Sequence, residues 1–251
     1  MLKIAVCNKM KLLISIICVN FVSINQRKNL KKSDFIIPLA WPETMVIPAG
    51  AWYDFLTRKI GFMEGGKYRA GHSATLMVNA KNGKVSYFDF GRYHTPLGFG
   101  RVRDEKTDCE LKLDTIAKCK NGKIQNIEAI LLEIASNKSN HGDGSMYASV
   151  LSGVDFEKGY LYAKKMQKRG AIPYGPFIKN GTNCSRFVAS MMQATNPSII
   201  KKIRLKYPFC ISPSPKRNVG IANTTYYIVN NKNCKCIKRS KIESYLNSIE
   251  R

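Results

Sequence analysis

Residues 71–93 read GHSATLMVNAKNGKVSYFDFGRY, and the architecture follows from how this stretch folds. HSATLMVN and KVSYFDFGRY are both rich in β-branched and aromatic residues, and Ala80-Lys81 and Asn82-Gly83 lie between them. Asn-Gly is the strongest short-range signal for a two-residue type I′ turn, so the segment predicts an antiparallel hairpin.

On either side of it, the sequence supplies one domain of strands and helices. Upstream, the folded part is expected to start at Asp34 with the apolar run FIIPLAW, after a basic linker from Gln26 to Ser33. Ala51 to Ile60 has helical spacing of Trp52, Phe55, Leu56 and Ile60. Downstream, Cys109 to Ala117 reads as a strand, Ile127 to Ala135 as a helix capped by Asn126, and MYASVL at 146–151 as a strand. Asp155 opens a helix to Arg169 that stops at Gly170, and a further helix begins near Asn183 and ends before Pro197. Pro208 to Pro215 reads as a loop before a last strand, Thr224 to Val229. A final helix, Lys241 to Ile249, carries Ile242, Tyr245, Leu246 and Ile249 on one face and is expected to dock on the domain. The fold class is α+β, with residues 1–33 a leader or basic extension and 34–251 the domain.

Charge is the unusual bulk property. The chain of 251 residues has 41 Lys+Arg against 17 Asp+Glu, a formal net charge of +24, so nucleic acid, anionic lipid and acidic polymers are all physically reasonable contacts. The eight cysteines form no zinc pattern, because Cys234 and Cys236 have no second pair or histidine at ligand spacing; neither a metal nor a cofactor is expected. Cys109 and Cys119 could form a disulfide only in an exported protein. Lys9 and Lys11 precede an apolar run from Leu12 to Ile24, too short for a comfortable membrane span but of signal-peptide length. No small-x-small cleavage site follows it. An exported or periplasmic location is favoured over a cytoplasmic one.

The chemistry-bearing candidates are few. Cys184 lies in GTNCSRFV, where Thr182 or Asn183 can cap the helix that follows and Arg186 adds positive charge. A thiol in the first turn of a helix sits at the positive end of the dipole beside unpaired N–H groups, which favour the thiolate and can hold an oxyanion. His72, directly after Gly71 at the start of a strand, is the best-placed base; His94 and His141 read as surface residues. Asp89 is the attractive carboxylate to orient His72. If Asn82 and Gly83 form the turn, however, His72 pairs with Tyr93 and Asp89 with Leu76, about four residues away at roughly 3.3 Å each. A turn on Ala80-Lys81 or a bulge would bring Asp89 closer; otherwise Tyr93 or a backbone carbonyl must orient the ring. Asp89 could equally pair with Arg92 or Arg101.

A strand-opening GHSATLMV, a hairpin and a much later helix-opening NCSRFV resemble the permuted papain-like hydrolases, relatives of the NlpC peptidases and of lecithin:retinol acyltransferase. LAWPET, AGHSATLMV, YFDFGRYHTPLGFGRVR, HGDG and GTNCSRFV together resemble an uncharacterised bacterial family, over roughly Phe35 to Pro215. The resemblance implies a papain-like antiparallel sheet packed against helices, with Cys184 as nucleophile and His72 as base. The expected function is then hydrolysis or acyl transfer at an amide or ester; if the leader directs export, an envelope substrate such as a cell-wall peptide or lipid is favoured, a toxin-like effector being a narrower version. The rival is a non-catalytic basic module that binds nucleic acid or anionic lipid on the same scaffold.

Overall fold

The fold is built on three strands buried along both faces. In the computed structural model, which describes residues 33–251 apart from 49, 51–62, 65, 69, 208–213, 231–232, 247–248 and 250–251, β1 (Asp34–Trp41), β4 (His72–Val78) and β5 (Val85–Gly91) carry almost no exposed residue. Such strands read as continuous apolar runs rather than alternating ones, because both faces need cover. The β4 hydroxyls are satisfied internally: Ser73 and Thr75 donate to the carbonyls of Leu39 and Ile37 across the β1–β4 pair.

Two short pairs flank this core, β2 (Met63–Glu64) with β3 (Lys67–Tyr68), and β7 (Cys119–Lys120) with β8 (Lys123–Ile124). The main sheet is completed by β6 (Phe99–Arg103), β9 (Met146–Ala148), β10 (Leu151–Val154), β11 (Ile172–Pro173), β12 (Thr225–Asn230) and β13 (Asn233–Lys238). Its order is β11-β6-β5-β4-β1-β9-β12-β13, β10 also pairing with β1, and its ladders are antiparallel.

Each face of the sheet has its own core. On one, Leu39, Trp41, Ala74, Leu76 and Tyr87 pack beneath α1 (Ile127–Ser136) through Ile127, Ile130, Leu131 and Ile134. On the other, Met77, Phe88, Phe90 and Val102 pack with α2 (Phe156–Lys168) and α3 (Cys184–Ala194), with Leu205 of α4 (Ile199–Lys206) and with Ile221 and Ala222 of α5 (Pro215–Ala222). A last helix, α6, covers Lys241–Leu246.

The hairpin and the helices after Asp155 and Asn183 form at the expected places, and Asp155 accepts from the Lys158 N–H as a cap. Four expectations need correction. Residues 109–117 form no strand but a 3₁₀ turn at Cys109–Leu111 and an irregular stretch; Leu111, Leu113 and Ala117 alternate inward because they pack on the core, not because they pair in the sheet. Residues 146–151 are divided between β9 and β10. Asn126 precedes α1, but its side chain accepts from Lys118 N–H and donates to the Ile116 carbonyl instead of capping. Ile242 is exposed while Ile249 packs with Ala40 and Val219, so the face predicted for the last segment docks only in part. Helices α4 and α5 and strand β13 had no expectation. The predicted helix at 51–60 and most of the loop at 208–215 lie outside the described residues.

Candidate active site

His72 owes its position to the glycine before it. Gly71 has φ +70°, and a Cβ there would lie 2.9 Å from the Trp41 carbonyl and 3.1 Å from Pro42 Cα, so only glycine lets the two backbones meet. That approach pairs Trp41 with His72 at the end of the β1–β4 ladder and stacks the two rings at 5.7 Å and 26°. Gly142 of HGDG packs directly on the indole, since a Cβ there would fall 2.3 Å from it. Three separated motifs thus meet around Trp41, which stacks on the imidazole.

The register of the hairpin is neither of the two foreseen. Asn79 and Lys84 close a four-residue loop, with Gly83 N–H reaching the Asn79 carbonyl, so Asn82-Gly83 is not a two-residue turn. The ladder then sets Ala74 opposite Asp89, which leaves Asp89 diagonal to His72 on the same face. A diagonal pair is within reach of long side chains, and His72 Nε2 lies 3.4 Å from Asp89 Oδ2.

Asp89 is fully buried and held by more than the histidine. Arg103, its direct neighbour across β5–β6, donates Nε to Oδ1 at 3.1 Å and Nη2 to Oδ2 at 2.6 Å. The hydroxyls of Tyr87 and Tyr93 donate to Oδ2 at 3.0 and 3.2 Å. The expected partners Arg92 and Arg101 are engaged elsewhere: Arg92 on the Ile47 and Pro48 carbonyls, Arg101 in a two-point pair with Asp108. Arg103 escaped sequence reasoning because the choice among three arginines depends on the β5–β6 register, which no local signal sets.

Cys184 is the first residue of α3. Asn183 caps the helix by accepting from the Arg186 N–H at 2.8 Å, leaving the N–H groups of the first turn without intrahelical acceptors. Helix α3 packs against the face opposite to the one that bears His72, yet each residue is the terminal one of its element. They therefore meet at the rim of the sheet, where His72 and the Ser73 backbone N–H lie close enough to the Cys184 sulfur to favour its thiolate. The Ser185 hydroxyl is 3.9 Å from the sulfur. Cys184 is 6% and His72 7% exposed, so the pair is deeply set without being sealed.

Burial opposes charge on all three groups, and their mutual contacts overcome it. Desolvation would raise Asp89, but His72 and Arg103 hold its carboxyl down at about 2. Desolvation would lower His72, but Asp89 and Cys184 push it up to about 9. Desolvation would raise the Cys184 thiol, but the hydrogen bond and charge of His72 bring it below its ordinary value, with smaller help from Ser185 and Ser73. Opposite shifts on Cys184 and His72 favour thiolate with imidazolium over thiol with imidazole.

Tyr93 and His141 form the rim. Tyr93 folds back over Gly91, sets its hydroxyl 3.5 Å from His72 Nε2, and takes the Arg103 guanidinium 3.4 Å from its ring centroid. His141, exposed as expected, stacks on Tyr93 at 5.2 Å; the sequence offered no sign that the two meet. His94 is exposed as well. Among the described residues, no group of three His, Cys, Asp or Glu could hold a metal ion, and no helix is long and apolar enough to cross a membrane. Cys109 and Cys119 carry free thiols.

A family model described as type VI secretion system effector TseH-like matches residues 36–199, well over half of the chain. The chain belongs to that family. All seven residues from Trp41 through His72, Asp89, Tyr93, Arg103 and His141 to Cys184 fall within the TseH-like span. The crystal structure of the type VI secretion system effector TseH superposes with a TM-score of 0.54 at 18% identity, covering 82% of this chain and 98% of the other. That likeness shows a shared mixed α+β architecture of antiparallel sheet and helices. No curated protein matches the sequence.

Proposed function

We propose that this TseH-like protein is a cysteine-nucleophile hydrolase or acyltransferase on a permuted papain-like, NlpC-like scaffold, and that it serves as a secreted effector acting on an amide or ester of the cell envelope. The observation that carries the reading is His72 held 3.4 Å from the buried Asp89, whose carboxylate Arg103 fixes as an anion, at the sheet rim where Cys184 opens α3.

In this reading Asp89 orients His72 through Nε2, which leaves Nδ1 to face the sulfur. The Cys184 thiolate attacks the substrate carbonyl carbon, and the tetrahedral oxyanion lies against the backbone N–H groups at the start of α3. The His72 imidazolium gives its proton to the leaving amine or alcohol as the C–N or C–O bond breaks, forming an acyl thioester. Neutral His72 then removes a proton from water or another acceptor, which displaces the sulfur. Hydrolysis and transfer differ only in that acceptor. A purely binding module gives no reason to set a thiol at a helix start beside a buried imidazole and carboxylate.

Cys184→Ala is expected to abolish release of acid or amine from a chromogenic ester and from cell-wall peptide while leaving the fold intact by circular dichroism. Wild-type Cys184 should be alkylated by iodoacetamide at pH 6–7, where an ordinary thiol of pKa about 8.5 reacts slowly. Full activity of the alanine variant would end the proposal.

A further inference from the structure

Helix α4, IIKKIRLK, is amphipathic in the wrong sense for a surface helix. Its inward residue is Leu205, only 4% exposed, whereas Ile199, Ile200 and Ile203 and the following Tyr207 are 69, 62, 53 and 62% exposed. At about 100° per residue these four fall within one arc, bracketed by Lys202 and Lys206 on one side and Arg204 on the other. The helix has no acidic residue. Lys201 and Arg204 turn inward to the Ala222 and Ser244 carbonyls and Lys202 Nζ donates to Asn196 Oδ1, while Lys206 stands 5.2 Å over the Tyr207 ring. Ile199, Lys202, Ile203, Lys206, Tyr207 and Gln193 of α3 line an open groove of about 460 Å³.

We infer that this face of α4 seats the protein on a bilayer containing anionic phospholipid, the isoleucines entering the acyl boundary and Lys202 and Lys206 meeting the headgroups. The pairing of exposed aliphatic side chains with flanking lysines is the pattern of helices that lie in the membrane interface. The net charge of +24 adds attraction to an anionic leaflet. Nucleic acid would satisfy the lysines and leave the isoleucines in water. A second copy would bury the isoleucines but set lysine against lysine between two strongly positive molecules. Lipid satisfies both features. Cys184 and Gln193 stand at opposite ends of α3, nine residues and roughly 14 Å apart, so seating here is separable from chemistry at Cys184.

The test is flotation of the full-length chain with phosphatidylglycerol-containing and with pure phosphatidylcholine vesicles. Wild type should float with the anionic vesicles far more than with the neutral ones. Ile199→Ser with Ile203→Ser, both on the exposed surface, should weaken that binding at least about tenfold with an unchanged circular dichroism spectrum. Lys202→Gln with Lys206→Gln should weaken it and reduce its salt sensitivity. Anionic-vesicle binding that survives the isoleucine changes, or no binding by wild type, overturns the inference. So does a concentration-dependent dimer, or duplex DNA binding, that the isoleucine changes abolish in place of vesicle binding.

Discussion

Asp89 is the residue on which the site's charge balance turns. It neutralises Arg103, whose side chain is 3% exposed, and it raises His72. Asp89→Asn should therefore act twice. With the carboxylate gone, His72 falls from about 9 toward its ordinary value and the Cys184 thiolate loses its partner, so alkylation at pH 6–7 should slow by about tenfold or more. The guanidinium is left without its counter-ion, which should cost about 3–5 kcal/mol in urea unfolding. Adding Arg103→Met should recover much of the stability but none of the alkylation rate, which separates the two roles. That Cys184, His72 and Asp89 stand out in the sequence reflects scarcity: three histidines and a single cysteine at a recognisable helix start. Which arginine serves Asp89 was not legible, because it depends on long-range strand register.

Among the secondary-structure elements, α3 at its start and β4 at its start each present one reactive atom, and each is fixed by a neighbouring residue that does no chemistry. Asn183 caps α3, and its loss should cost about 1 kcal/mol of stability by removing the acceptor for Arg186 N–H. Fraying of the first turn also moves the sulfur relative to His72. Asn183→Ala is thus expected to lower the melting temperature by a few degrees and to slow Cys184 alkylation at neutral pH; an unchanged rate would show that the cap is structural only. The cap was readable from Thr-Asn-Cys before an apolar periodic run. The hairpin was readable too, but its four-residue loop was not, because Asn-Gly serves more than one turn and the choice here is made by packing: a Cβ at Gly83 would sit 2.4 Å from the Ala117 carbonyl.

For the molecule as a whole, the linked protonations give a pH signature. Asp89, held at about 2 against an ordinary 3.8, contributes stability that is present above pH 3.8 and lost as pH falls toward 2. His72 alone would contribute stability that is full below pH 6.5 and lost as pH rises through about 9. The lowered Cys184 has the opposite sign. Where the folded chain pairs thiolate with imidazolium and the unfolded chain keeps its one proton on the thiol, the two effects oppose each other. Stability measured by urea unfolding should change less with pH in wild type than either group alone would make it. In Cys184→Ala both the Cys184 contribution and the part of the His72 shift that Cys184 causes are gone, so the pH dependence of stability above pH 6.5 should differ from wild type; superimposable curves would contradict the pairing.

Amino-acid order was enough to set the local elements and the chemistry available to them. Propensity, caps and turn residues act over a few neighbours, and they made the hairpin, the capped helix at Asn183 and the glycine before His72 readable. Long-range packing settled the four-residue loop and the diagonal contact of Asp89 with His72. It also selected Arg103 over Arg92 and Arg101, joined His141 to Tyr93, and turned the apolar face of α4 outward. Each of these depends on strand register or on which faces are covered, and those are set by the burial of the entire sheet between two cores rather than by any run of adjacent residues.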